Sequence, residues 1–377
     1  MEWITAIVTN APAYILPFLF VLGLIIFVHE MGHFLVARWC GVAVDTFSIG
    51  FGPELIGRND RHGTRWKIAA IPLGGYVKFA GDENAASVPD HEAIAAMSEE
   101  ERRTSFQLKP VWQRAAIVAA GPVANFLLAI AIFAVFFMLQ GRPSADTIIT
   151  GVVPDSPAAA AGLEAGDSIV AINGRELGSF SDLQRTVSRS PGVELALTVE
   201  RDGERFDVVA TPERRELEDT IGGTYVAGIL GVQRDVGPEG IPRERLGPVD
   251  AVSAGVAETW FITTRTVEVV YGIITGTQPA SQLGGPLRVA QVSGEVAGLG
   301  IAALLSLAAM LSVSIGLINL MPIPMLDGGH LVFYAIEAVR GRPLPERAQD
   351  VGFRIGLALV LLLMVFATFN DLRHFVS

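Results

Sequence analysis

The chain carries long apolar runs at about residues 13–37, 115–139, 301–320 and 353–369. Each is of the order of the 20 residues that a helix needs to cross a hydrocarbon layer, so the pattern predicts about four spanning helices. Between them the pattern changes. Residues 44–80 alternate short β-prone stretches with Gly and Pro, as in "IPLGGYVKFA", which predicts a hairpin region. Residues 81–109 are polar and acidic and read as a solvated excursion. Residues 147–212 predict strands at 168–172, 194–201 and 205–210 around a helix at 180–188. Residues 249–276 keep helical spacing, but Glu258, Arg265 and Glu268 interrupt them. That favours a helix lying on or beside a membrane, with a fifth span as the alternative.

Composition supports the membrane reading: half of the 377 residues are hydrophobic and the mean hydropathy is +0.44, well above the range of soluble globular chains. The net charge of -11 gives no basic face able to release counterions from a nucleic acid, so no nucleic-acid partner is expected. Cys40 is the single cysteine. Thiolate clusters and an intrachain disulfide framework are therefore excluded, and any metal must be held by His and carboxylate.

Orientation follows from the basic loops. The stretch from Arg38 to Arg114 holds ten Lys or Arg, that from Arg340 to Arg354 holds four, and the N-terminal tail holds none. Both basic loops read as cytoplasmic. Both termini and residues 141–300 then lie outside, and the first apolar run, which has no basic residue before it and no small-residue cleavage site, reads as a retained span.

The chemistry begins at "FVHEMGHFLV", residues 27–36, at the cytoplasmic end of the first run. Ionisable groups in a bilayer are costly, by about 2.5–3.5 kcal/mol at its centre, and need a purpose. On a helix, His29 and His33 at i and i+4 share one face and can hold one Zn²⁺, while Glu30 is placed to act on a metal-bound water. No HxxGxxH extension follows, so the third ligand must come from elsewhere. The best candidate is Asp327 in "NLMPIPMLDGGH", residues 319–330, at the matching depth of the third run. Pro322 and Pro324 break the helix there, and Gly328 and Gly329 allow a close turn.

Two resemblances add to this reading. "SPAAAAGLEAGDSIVAINGREL" closely resembles a PDZ domain of the bacterial protease type. "VAGILGVQ" is similar to that family's ligand loop, with Gly228, Ile229, Leu230, Gly231 and Val232 placed as in a circular permutation. A substrate gate and a mere spacer both remain open for this module. HEMGH, GPVAN (121–125), the PDZ-like module, GGP (284–286) and NLMPIPMLDGG together resemble the site-2 protease family of intramembrane zinc metalloproteases, in the single-PDZ form. That resemblance implies one Zn²⁺ per chain on His29, His33 and Asp327, with Glu30 catalytic. It implies that Asn319, with Pro322 and Pro324, holds substrate backbone, and that the membrane-associated hairpin, with Gly74 and Gly75, takes the substrate as an added strand. Ser314 stands where some relatives carry a second Asn. The implied partners are membrane lipid and a single-span substrate, an anti-sigma factor already trimmed by an upstream site-1-type protease. The implied location is a bacterial inner membrane.

The predicted fold is a polytopic α-helical membrane protein with a membrane-associated β-hairpin and an extracytoplasmic α+β PDZ domain. Residues 1–43 hold the first span, 44–114 the hairpin and polar loop, and 115–140 the second span. Residues 141–235 form the PDZ-like domain, 236–300 a membrane-proximal amphipathic segment, 301–336 the third span with its Leu-Asp-Gly motif, and 337–377 a cytoplasmic link and fourth span. A zinc transporter would also bury His and Asp, but it needs neither Glu30 nor a PDZ module and would show internal repeats. An inactive scaffold would not need to keep Glu30.

Overall fold

The computed structural model describes residues 2–82, 94, 96–143, 147–177, 180–218, 224–234, 243–280 and 284–376. The polar excursion at 81–109 therefore lies partly outside the described residues. The chain divides into two units, one of Met1–Ala134, Val252–Glu268 and Leu283–Ser377, the other of Val135–Ala251 and Val269–Gln282.

In the first unit, helix α1 (Glu2–Trp39) is followed by strands β1 (Val44–Asn59) and β2 (Arg65–Phe79), then by α2 (Glu99–Thr104) and α3 (Val111–Gln140). Four helices among the described residues are long and apolar enough to cross a membrane: α1 over Pro12–Trp39, α3, α8 (Ile301–Asn319) and α10 (Glu346–Val376) over Arg347–Arg373. Ile355, Leu361, Leu362, Val365 and Phe366 of α10 are exposed, an apolar surface that suits hydrocarbon and not water.

The hairpin is more folded than its sequence suggests. Residues 46–49 of β1 pair on one side with 75–78 of β2 and on the other with 65–68, while 54–59 pair with 65–69. Two long strands thus bend into four short rows. The bend in β1 falls at Gly50 and Gly52, whose φ angles of 91° and 84° few other residues adopt. Phe47 stacks on Trp66 at 4.4 Å, and with Phe34, Val77, Phe79, Phe106, Ile117 and Tyr334 it forms one core. That core fastens the sheet to the ends of α1 and α3.

The third apolar run ends where the prolines predict, and the stretch 301–336 holds two helices. α8 stops at Asn319 and α9 (Asp327–Arg340) starts anew, because Pro322 and Pro324 cannot continue a helix. Between them Met325 takes φ 85°, a strained value for a residue with a side chain. Gly328 and Gly329 press against the carbonyls of Leu320, Met321 and Ile323, where a Cβ has no room.

Residues 249–276 form one helix, α6 (Pro248–Ile274), which is not among the four apolar spans. Its Gly255 lies against α3, where an added Cβ would sit 2.8 Å from the Ile130 carbonyl oxygen. Helix α7 (Pro286–Ala297) begins at Gly285 with no capping side chain of its own. Instead Asp371 of α10 accepts from the backbone N–H of Gly285 at 2.8 Å, Leu287 at 3.1 Å and Arg288 at 3.2 Å, the usual remedy for orphan N–H groups. The GGP motif marks this contact.

The second unit holds short pairs β3 (Arg142–Pro143) with β12 (Arg243–Glu244) and β9 (Glu213–Glu218) with β10 (Thr224–Ile229). It also holds β4 (Gly151–Val152), a one-turn helix α4 (Pro157–Ala160), and a four-stranded sheet of order β6-β5-β7-β8. In that sheet β5 is Ser168–Ile172, β6 Arg175–Glu176, β7 Leu195–Arg201 and β8 Glu204–Ala210. Helix α5 (Phe180–Ser188) supplies Leu183 and Val187 to a core with Ile149, Ile169, Leu195, Leu197, Val199 and Leu230. Leu230 enters because β11 (Val232–Gln233) pairs with β4, joining the end of this module to its start. Asp167, fully buried, takes two hydrogen bonds from Arg201, at 2.6 and 2.8 Å, and one from the Glu164 N–H at 2.8 Å.

Candidate metal centre

One turn of α1 presents His29 and His33 on one face, and the first residue of α9 presents Asp327 to them. His29 Nε2 lies 3.2 Å from Asp327 Oδ2, His33 Nε2 lies 3.5 Å from Asp327 Oδ1, and the two Nε2 atoms are 3.3 Å apart. A tetrahedral zinc with ligands at about 2.0–2.1 Å has ligand atoms about 3.4 Å apart along each edge, a spacing that the two rings keep with each other and each keeps with one carboxylate oxygen of Asp327. Both histidines are buried. Asp327 Oδ2 is buried, and the His29 ring nitrogen is the polar group facing it. With Nε2 of both rings unprotonated, three lone-pair-bearing groups at this spacing repel one another unless a cation lies between them. Among the described residues this is the one His, Cys, Asp and Glu group with metal-binding geometry.

Helix α3 supplies what surrounds the histidines, and its contacts fall on a single face. The Ile117 carbonyl is 2.8 Å from His33 Nδ1. A carbonyl only accepts, so Nδ1 carries the hydrogen and Nε2 the lone pair a metal needs. Gly121, one turn on, leaves room for both rings: a Cβ there would meet His33 Nε2 and Cε1 and would come within 2.9 Å of His29 Cε1. Asn125, another turn on, places its side-chain amide 3.2 Å from His29 Nδ1. Lower on the same face, Arg114 pairs with Glu337 of α9 at 2.5 Å and lies over the Tyr334 ring, tying α3 to the helix that carries Asp327.

Glu30, 8% exposed, turns from the ligand face toward strand β2. The Val77 N–H reaches its carboxylate, and Gly75 passes so close that a Cβ would sit 3.0 Å from Glu30 Cγ and 2.7 Å from Ile26 Cγ2. Gly74, beside it, lies against the Phe51 ring. The row 75–79 thus runs past the acid at the margin of the sheet.

The other sequence-predicted residues lie as follows. Asn319 closes α8, partly buried, and Pro322 and Pro324 occupy the link that leads to Asp327, Pro322 exposed. Ser314 spends its hydroxyl on the Met310 carbonyl of its own helix, at 3.2 Å. His330 is set among Phe333, Tyr334 and Phe353 and is not part of the ligand group. Gly228 and Ile229 end β10, and Gly231, at φ 85°, accepts from the Val153 N–H at 2.8 Å. Leu230 is buried and Val232 lies in β11. Sequence reasoning passed over Ile117, Gly121 and Asn125 as site residues. Gly121 and Asn125 bound the GPVAN motif, and their four-residue spacing with Ile117 along α3 was the signal that they share a face.

Comparison with known proteins accords with this geometry. The model for peptidase family M50 matches residues 17–363. A chain of Agrobacterium fabrum provisionally named a zinc metalloprotease is 52% identical over 377 residues, covering 100% of both chains. Another so named, from Rhizobium meliloti, is 51% identical over 361 residues, 96% of each. The metalloprotease MmpA of Caulobacter vibrioides is 44% identical over 380 residues, 95% of this chain and 94% of its own.

Proposed function

The chain belongs to peptidase family M50 and is a zinc metalloprotease, and from that premise we propose that it is an intramembrane endopeptidase that cuts single-span membrane proteins within or near the bilayer. The observation that carries this reading is the place of the ligand group. His29 and His33 belong to a helix apolar enough to span a membrane, and Asp327 follows the end of another. Zinc, when bound, supplies a water acidic enough to yield hydroxide near neutral pH and a Lewis acid for the peptide carbonyl.

The protein's own groups do the rest. His29, His33 and Asp327 hold the metal, and the Ile117 carbonyl keeps His33 in its ligating tautomer. Glu30 takes the proton from the attacking water and returns it to the leaving amine. A substrate helix hides its backbone in its own hydrogen bonds, so a cleavable stretch must first unwind. The row 75–79 beside Glu30 offers replacement backbone bonds by strand addition, with Gly74 and Gly75 leaving space along it. Asn319, Pro322 and Pro324 would border the other side of that stretch.

The module over 147–212 fits a PDZ-like domain that controls access, and the basic loops favour an inner-membrane protein with that module and both termini outside the cytoplasm. The substrate class is a single-span protein already trimmed outside the membrane, an anti-sigma factor being the instance that the family resemblance suggests. Glu30→Gln tests the whole reading. It keeps size and hydrogen bonding, so zinc stays bound while cleavage of a single-span reporter falls by orders of magnitude. Near-normal cleavage, or cleavage of soluble peptides but never of the membrane reporter, would overturn it. Replacing residues 151–212 by a short flexible linker tests the gate: untrimmed substrate should then be cut. Equal cutting of trimmed and untrimmed forms by both versions would make the module a spacer.

A further inference from the structure

Asn125 is fully buried in α3 and is held firmly: its carbonyl accepts from Ser312 at 2.9 Å, and α8 packs on it closely enough that a Cβ at Gly316 would lie 3.2 Å from Asn125 Cβ. Its side-chain Nδ2 faces His29 Nδ1 at 3.2 Å, while its Oδ1 is buried without a hydrogen-bond partner. A histidine that binds a metal through Nε2 must carry its hydrogen on Nδ1. An amide NH₂ opposite that hydrogen would set donor against donor. The oxygen and nitrogen of an asparagine amide exchange places by a half-turn of the terminal torsion, with no change of shape. Turned so, Oδ1 meets His29 Nδ1–H.

We propose that Asn125 is a positioning residue of the metal centre, its side-chain oxygen accepting from His29 Nδ1–H and so fixing the tautomer and ring plane in which His29 binds zinc. It does for His29 what the Ile117 carbonyl does for His33. The two acceptors are eight residues apart on one helix face, so α3 presents both ligating rings at once, with Gly121 between them. A backbone carbonyl suffices for His33. For His29 a side chain is used.

The inference rests on His29 as a zinc ligand, and the experiment separates the two. Zinc affinity of the purified full-length protein is measured by competition with a chelator for the wild type, His29→Ala, Asn125→Leu and Asn125→Asp. Outer partners of ligating histidines are typically worth 10–100-fold in metal affinity. Asn125→Leu, equal in size but without an acceptor, should lose that much, and Asn125→Asp, which keeps an oxygen in place, should remain within about threefold of the wild type. Should Asn125→Leu not fold, Asn125→Asp decides alone, and a tenfold loss in it overturns the proposal. Wild-type affinity in Asn125→Leu, or equal loss in both variants, overturns it too. Wild-type affinity in His29→Ala removes the metal-site reading itself, and this proposal with it.

Discussion

Replacing Gly121 by Ala inserts one methyl group between two histidine rings. The added Cβ would stand 2.5 Å from His33 Cε1 and 2.9 Å from His29 Cε1, whereas ordinary carbon contacts begin near 3.5 Å. The His33 ring must therefore retreat by about 1 Å. It cannot do so freely, because Nδ1 is tethered at 2.8 Å to Ile117, one turn away on the same helix as the new methyl. Overpacking of this kind costs about 1–3 kcal/mol, one to two decades in an equilibrium constant. Ligand distances to zinc tolerate only about 0.2 Å, and a 1 Å displacement at a reacting centre can cost about 100-fold in rate. Zinc affinity of Gly121→Ala should fall at least tenfold and cleavage of a single-span reporter about 100-fold, with zinc measured by chelator competition and cleavage under saturating zinc. A variant that binds zinc and cuts as the wild type does would refute the claim that the α3 face is fitted to the two rings.

Asp327→Asn replaces a charged ligand by a poor one, so zinc content and activity should fall together; full zinc occupancy with full activity would show that Asp327 is not the third ligand. Arg114 and Glu337 have side chains only 11% and 14% exposed, and removing one partner strands the other's charge. Glu337→Leu should then cost about 3–5 kcal/mol and the double variant Arg114→Met/Glu337→Leu less, read from thermal unfolding; a single variant as stable as the wild type would contradict this. In the second unit, burial by itself would raise the Asp167 carboxyl, but its bonds from Arg201 and the Glu164 N–H outweigh burial and hold it below the usual carboxylate range. The stability it contributes is therefore present above the unfolded value near pH 4 and is lost as pH falls through the lower folded value. Hydrogen exchange of β5 and β7 amides in the full-length protein should accelerate on acidification from pH 5 toward pH 3, beyond the intrinsic pH dependence of exchange, and Asp167→Asn should flatten that response. An identical pH response in Asp167→Asn would refute it.

What the sequence determined by itself was local or one-dimensional. Apolar length marked α1, α3, α8 and α10, because a helix that meets only hydrocarbon must be apolar all round. The i, i+4 spacing put His29 and His33 on one face, because helix geometry is fixed by the backbone. Pro322 and Pro324 marked the break before Asp327, since proline has no N–H to give. The tertiary structure alone decided which distant groups meet. Nothing in residues 46–49 announces that they pair twice, for strand pairing depends on where the bend at Gly50 and Gly52 sends the chain. The face formed by Ile117, Gly121 and Asn125 shows in sequence only the GPVAN motif inside an apolar run, and only the approach of α3 to α1 makes it a mould for two imidazoles. Arg114 counted as a basic residue in a cytoplasmic loop until Glu337, 223 positions away, took up its charge. The ligands could be read from the chain because metal chemistry restricts their types. The groups that orient those ligands could not, because almost any acceptor, carbonyl or amide, serves once the packing of helices has placed it.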